Sequence, residues 1–162
     1  MEFNKPGPNK RVCAFLIDSI IAQLIGGVLS FVIRIDVTWI IWSIIILFKD
    51  CYNGQSAGKF FVDTQVIDEN NLPAKSSQAI IRNIFLIIPL FSLIEYCIML
   101  RDKEDGKRIG DTVAKTRVTD LKPQVQDGTY LWISILLIMI VIAAQIIIAA
   151  LLVRQHPELL KH

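Results

Sequence analysis

Four long runs of apolar residues, separated by charged connectors, organise this chain. The first extends from about Val12 to Ile33 and is interrupted by Asp18 and Gln23. The second, from about Val37 to Tyr52, begins with Trp39 and Trp42. The third, from about Ala79 to Leu100, holds Arg82, Pro89 and Glu95. The fourth, Tyr130 to Val153, has Gln145 as its strongly polar residue. A helix needs about 20 apolar residues to cross a bilayer core. The first and fourth runs meet that length; the second does so only if Lys49 snorkels and the helix continues towards Gly54. Runs this long and apolar all round do not suit the one-sided helices of a soluble domain. The first run is also too long for a cleaved signal and carries Asp18. The pattern predicts an all-α membrane protein with three to four membrane helices.

Lysine and arginine placement sets the threading. Lys5, Lys10 and Arg11 precede the first run, whereas Arg34 alone marks the connector after it. The N-terminus is therefore expected in the cytoplasm, and the connector from Lys49 to Gln78 returns there. Arg101 to Thr129 is the most basic connector, and a full crossing by the third run would put it outside, against the rule. Pro89 offers a resolution, because proline removes a helical hydrogen bond and bends the run. Two half-helices meeting at Pro89 form a re-entrant hairpin that keeps Arg82 and Glu95 near the cytoplasmic face, provided protein or a wet cavity covers the break. Four complete spans with an internal C-terminus are the alternative.

An internal echo favours the hairpin. Gly58-Lys59-Phe60-Phe61-Val62-Asp63-Thr64 resembles Gly106-Lys107-Arg108-Ile109-Gly110-Asp111-Thr112, and Thr64-Gln65-Val66-Ile67-Asp68 resembles Thr116-Arg117-Val118-Thr119-Asp120. The last two alternate like short strands and predict a small cytoplasmic strand pair, which requires both connectors in one compartment. The expected organisation is a cytoplasmic N-terminus (1–11), a membrane domain (12–120, with helices at about 12–33, 37–52 and 79–100), a connector (121–129), an additional transmembrane helix (130–153) and a tail (154–162).

Composition agrees: hydrophobic residues make up 53% of the 162, and the net charge is only +2. Chemistry then concentrates on few residues. Ala14, Asp18, Ala22, Gly26 and Ser30 recur at a spacing of four, a small-residue face on which helices pack closely, within the chain or between copies in a homo-oligomer. Asp18 interrupts that face at a cost of about 2.5–3.5 kcal/mol on insertion scales, so it must face protein or a polar cavity. It reads either as a proton or cation site or as a fixed staple to Arg82 or a loop amide. Arg11 lies two turns earlier, about 10 Å along the axis, too far for a simple pair.

These residues and their surroundings resemble the RDD family of bacterial membrane proteins. Arg11, Asp18 and Asp111 fit the arginine and two aspartates of its name. Gly54, Gly58 and Lys59 fit its turn after the second helix, Val66-Ile67-Asp68 its following strand, and Arg82-Asn83 the start of its third block. The resemblance covers about residues 8 to 120; Gly110 stands where histidine is frequent and Lys115 where glycine is usual. It implies a multi-pass protein of the bacterial inner (cell) membrane. It also implies exchange of Na⁺ or K⁺ for protons; on that reading Asp18, Asp111 and, from the third run, Glu95 are the proton- or cation-binding candidates, with Arg11 and Arg82 as charged partners. The alternative is a non-transporting scaffold, assembly or lipid-interacting module whose buried charges are structural.

Other chemistry is set aside. Gly54 to Lys59 has three residues between its glycines and Phe60 after the lysine, so it is not a phosphate-binding loop. Cys13, Cys51 and Cys97 form no ligand pair, and His156 and His162 find no third ligand. No catalytic residues, cofactor or metal are expected. Basic residues between 101 and 122 alternate with acids, which suits a surface beside membrane lipid and not nucleic acid.

Overall fold

The computed structural model describes residues 4–102, 106–122 and 127–155. Part of the expected connector (121–129) and the tail from 156 onward, including His156 and His162, lie outside the described residues. Helix α1 spans Pro8–Ile33, α2 Thr38–Phe48, α3 Ala57–Phe61, α4 Ser76–Asn83, α5 Pro89–Arg101, α6 Ile109–Val113 and α7 Asp127–Gln155; β1 is Thr64–Asp68 and β2 Thr116–Asp120.

Pro8 opens α1, where its missing N–H costs nothing. The Asp127 carboxylate accepts from the Asn9 and Lys10 amides at 3.3 and 3.0 Å, tying the starts of α1 and α7 together. Arg34, in the left-handed region at φ 56°, ends α1, and α2 folds back along it. The small-residue stripe is used within the chain. A Cβ on Gly26 would lie 3.0 Å from the Thr38 backbone, so glycine lets α2 approach. Ala22 packs with Trp42, Ile46 and Leu86, while Ala14 packs with Cys13, Val62 and Tyr130.

The expectation for the second run needs correction. The second run forms only the 11 residues of α2, about 16 Å of helix. Lys49 does not snorkel outward: it turns in, buried, beside Asp18. The third run divides into two short helices at Pro89. After α4 comes a 3-10 turn, Ile84–Leu86; Ile88 is extended, as a residue before proline prefers, and Pro89 starts α5. The outer ends of this pair return to one region, where Gln78 donates to the Ala114 carbonyl (3.2 Å) and Lys5 to that of Asp102 (3.0 Å).

The expected strand pair is present. β1 and β2 are antiparallel, with Val66 opposite Val118 and Thr64 opposite Asp120. The upstream echo, however, is displaced by four residues from the structural match. Each strand follows a five-residue helix and one residue in the left-handed region, Asp63 (φ 54°) or Lys115 (φ 52°). Gly58 therefore corresponds to Gly110, not Gly106.

The polarity of the fold is inverted relative to a water-soluble domain. Phe31 is 86% exposed and Trp132 72%, while Arg82, Glu95 and Asp111 are 0% exposed. Helix α1 is long and apolar enough to cross a membrane, and only 28% of its most apolar stretch is buried. A helix in the core of a soluble protein would be mostly covered.

Candidate functional site

The buried charges meet where the N-terminal half of α1, the end of α4 and the short helices α3 and α6 converge. Asp18 projects from α1 towards the N-terminal turn of α3. Its Oδ1 accepts from the Gly58 amide at 2.7 Å, and its Oδ2 accepts from Ser56 Oγ at 2.7 Å and Lys49 Nζ at 3.1 Å. Ser56 also caps α3 through the Lys59 amide at 3.2 Å. Gly58 is required here because a Cβ would run into the Ala14 carbonyl. Of the two staples expected for Asp18, the loop amide is the one formed; Arg82 faces other carboxylates.

Arg82 leaves α4 fully buried, with Nη2 2.8 Å from Asp111 Oδ1 and Nη1 3.9 Å from Asp50 Oδ2. None of its three side-chain nitrogens makes an aligned hydrogen bond. Asp111, on α6, also accepts from Arg11 Nη2 at 2.8 Å and lies 3.4 Å from Arg108 Nε. Burial would raise the Asp111 carboxyl, but the guanidiniums of Arg82, Arg108 and Arg11 outweigh it and hold the group well below the usual carboxylate range. Arg11 also donates to the Gly106 carbonyl.

Glu95 comes from α5. Its Oε1 accepts from the Gly110 amide at 2.7 Å and its Oε2 lies 3.7 Å from Arg108 Nη1. Gly110 must also be glycine, because a Cβ would meet the Arg82 carbonyl. Asp50 pairs with Lys59 and accepts from Asn83 Nδ2 at 3.2 Å. Burial pulls the Lys59 ammonium down to about 7, with the attraction of Asp50 only partly offsetting it. Beside the array, Lys10 pairs with Asp120 at 2.7 Å and stands 5.3 Å over the Tyr130 ring.

The structure thus joins Arg11, Arg82 and Asp111 directly, brings Glu95 in through Arg108 and Gly110, and joins Asp18 through Ser56 and Lys59. Lys59 is part of the array as well as of the turn at Gly54. Sequence reasoning missed Asp50, Lys49 and Arg108 as members. The adjacent Lys49-Asp50 at the end of an apolar run was the available signal for two of them, and the three-residue spacing of Arg108 from Asp111 for the third.

Five cations (Arg11, Lys49, Lys59, Arg82 and Arg108) face four carboxylates (Asp18, Asp50, Glu95 and Asp111). The array is one positive charge in excess when all nine are ionised. A cavity of about 310 Å³ lies against it, between α1 and α5. All five cations line it, together with Phe15, Leu86, Leu93 and Met99; none of the four carboxylates does. Among the described residues, no group of three or more His, Cys, Asp or Glu side chains is arranged to hold a metal ion.

Residues 35–115 match the model of a family described as the RDD family. The match contains Asp111, Arg82 and the turn from Gly54 to Lys59; Arg11 and Asp18 precede it, so it is shorter than the span of the sequence resemblance. Comparison with curated proteins and with solved structures gives no match.

Proposed function

This chain belongs to the RDD family, and on that premise we propose that it is a multi-pass protein of the bacterial inner membrane, a non-transporting and non-enzymatic module whose buried charges are a structural core. One observation carries this reading: each of the four carboxylates is held by cations or amides of the chain itself, and the cavity beside them is lined by cations. A cation exchanger needs a carboxylate that can offer its oxygens to Na⁺ or K⁺. Asp18 would first have to release a lysine, a serine and an amide, and an incoming cation would meet a positive wall. In the membrane arrangement that follows, α1 and α7 run outward from the cytoplasmic face and α4 and α5 form a re-entrant pair. The apolar flanks of the helices contact lipid.

Exchange of Na⁺ or K⁺ for protons is the second reading, favoured by Lys59, a buried amine whose proton is exchangeable near pH 7. Reconstitution in liposomes with an internal pH-sensitive dye separates the two. The structural reading expects no Na⁺- or K⁺-driven proton flux from folded protein. Flux abolished by Asp18→Asn would replace it with the exchanger. Flux that survives Asp18→Asn would overturn both the structural reading and the transport role of Asp18.

A further inference from the structure

The cavity between α1 and α5 has two walls of opposite character. On one side stand Arg11, Lys49, Lys59, Arg82 and Arg108; on the other are Phe15, Leu86, Leu93 and Met99. No carboxylate lines it among the described residues. Arg82 is 0% exposed, lines the cavity, and has three nitrogens without an aligned hydrogen bond. Asp111, 2.8 Å from Nη2, offsets part of the desolvation cost of this guanidinium, and an acceptor in the cavity would satisfy donors the carboxylates leave unaligned. With Lys59 protonated, five cations face four carboxylates, and one further negative charge in the cavity would balance the array and hold that proton.

We infer that this cavity is a binding site for the phosphate headgroup of an acidic membrane amphiphile, with Arg108 and Arg11 as the principal donors and Arg82 behind them. Guanidiniums suit phosphate because their planar donors match its oxygens in pairs. The apolar wall accounts for the rest of the ligand. Leu93 is 64% exposed at the edge of α5, so an acyl chain leaving past it would pass from the cavity to the apolar flank of the protein. At about 310 Å³ the space lies at the small end of ligand pockets, enough for a headgroup and the start of a chain but not for a whole lipid.

This inference rests on the membrane reading, which extraction of membranes with alkaline carbonate checks separately; release of the protein would remove that reading before any lipid is tested. The binding experiment uses the full chain purified in a neutral detergent. Thermal unfolding is followed while phosphatidylglycerol, phosphatidylcholine or inorganic phosphate is added. Phosphatidylglycerol should raise the Tm in a saturable way and phosphatidylcholine should not. Arg108→Gln should weaken the effect about tenfold in concentration, by loss of a charge-assisted bond. Leu93→Trp, which touches none of the ion pairs, should weaken binding of the lipid while leaving the Tm without lipid unchanged. Stabilisation by inorganic phosphate equal to that by phosphatidylglycerol would keep the anion site but overturn its lipid source. Equal effects of both lipids, or an effect of phosphatidylglycerol that both variants retain in full, would overturn the site.

Discussion

Gly110 donates its amide hydrogen to the Glu95 carboxylate across 2.7 Å, and the same contact recurs between Gly58 and Asp18 at the same distance. In each case a carboxylate on an apolar helix holds the first turn of a five-residue helix that leads into a strand, and the two strands pair. The array is therefore built on a duplicated unit whose two halves meet face to face. Both halves require glycine at the contact, because Ala14 and Arg82 present backbone carbonyls where a Cβ would sit.

Substitution at Gly58 should be costly for that reason. Gly58→Ala forces α3 away from α1 and stretches the bond to Asp18, and overpacking of this kind costs about 1–3 kcal/mol. Gly27, with nothing within 4 Å of its Cβ position, is the internal control. Gly27→Ala should be neutral or stabilise by up to about 1 kcal/mol through helix propensity. Thermal unfolding of both variants in the same detergent checks the contrast; equal Tm values would show that the α1–α3 approach is not tight.

The Arg82–Asp111 pair should show strong coupling. Breaking a buried pair leaves a charge uncompensated and costs about 3–5 kcal/mol. Asp111→Ala alone should be severe, since three guanidiniums converge on that carboxylate. Arg82→Met with Asp111→Leu should cost clearly less than the sum of the two single changes. A double-mutant cycle from chemical unfolding measures this, and strict additivity would remove the pair from the structural core.

Much of this fold was legible because apolar runs and strand alternation are local signals. The break at Pro89 and the pairing of Thr64–Asp68 with Thr116–Asp120 follow from such signals. What was not legible depends on contacts distant in sequence. Asp50 and Lys59 pair only because the chain turns sharply after Phe48, which ends α2 four residues before Tyr52, the expected limit. The correspondence of Gly58 with Gly110 was hidden by the nearer likeness of Gly106-Lys107 to Gly58-Lys59, a likeness of residue type without the same place in the fold. Asp18 was recognised as needing a partner, yet its partners lie 31 to 40 residues away in the chain, and no periodicity reports them.

Lys59 sets a distinct dependence on pH. An unfolded lysine keeps its proton to about pH 10.4, whereas the buried Lys59 releases it near 7. Between those values the unfolded state binds more protons, so the contribution of Lys59 to stability rises with pH, by about 1.4 kcal/mol per pH unit at the steepest. Asp111 acts in another window: its lowered carboxyl stabilises the fold above the usual carboxylate range and the stabilisation is lost on acidification below about pH 4. Unfolding measured from pH 6 to 10 should show a rise that Lys59→Met removes. A wild-type profile that is flat, or that falls across this interval, would contradict the burial of that amine.

The strand pair also tests the proposed topology. β1 and β2 exchange backbone hydrogen bonds along their length, so the connectors that carry them share a compartment. Glu69 follows β1, and Lys107 precedes α6 and β2. With Cys13, Cys51 and Cys97 replaced by serine, single cysteines at Glu69 and Lys107 should react with a membrane-impermeant maleimide only after cells are opened. The proposed re-entrant α4–α5 pair predicts this joint protection, because two short helices that return to one side leave both connectors in one compartment, the cytoplasm in the proposed arrangement. A full crossing between them would separate the two positions. Labelling of Lys107→Cys in intact cells, with Glu69→Cys protected, would therefore defeat both the hairpin and the strand pair in the membrane-embedded protein.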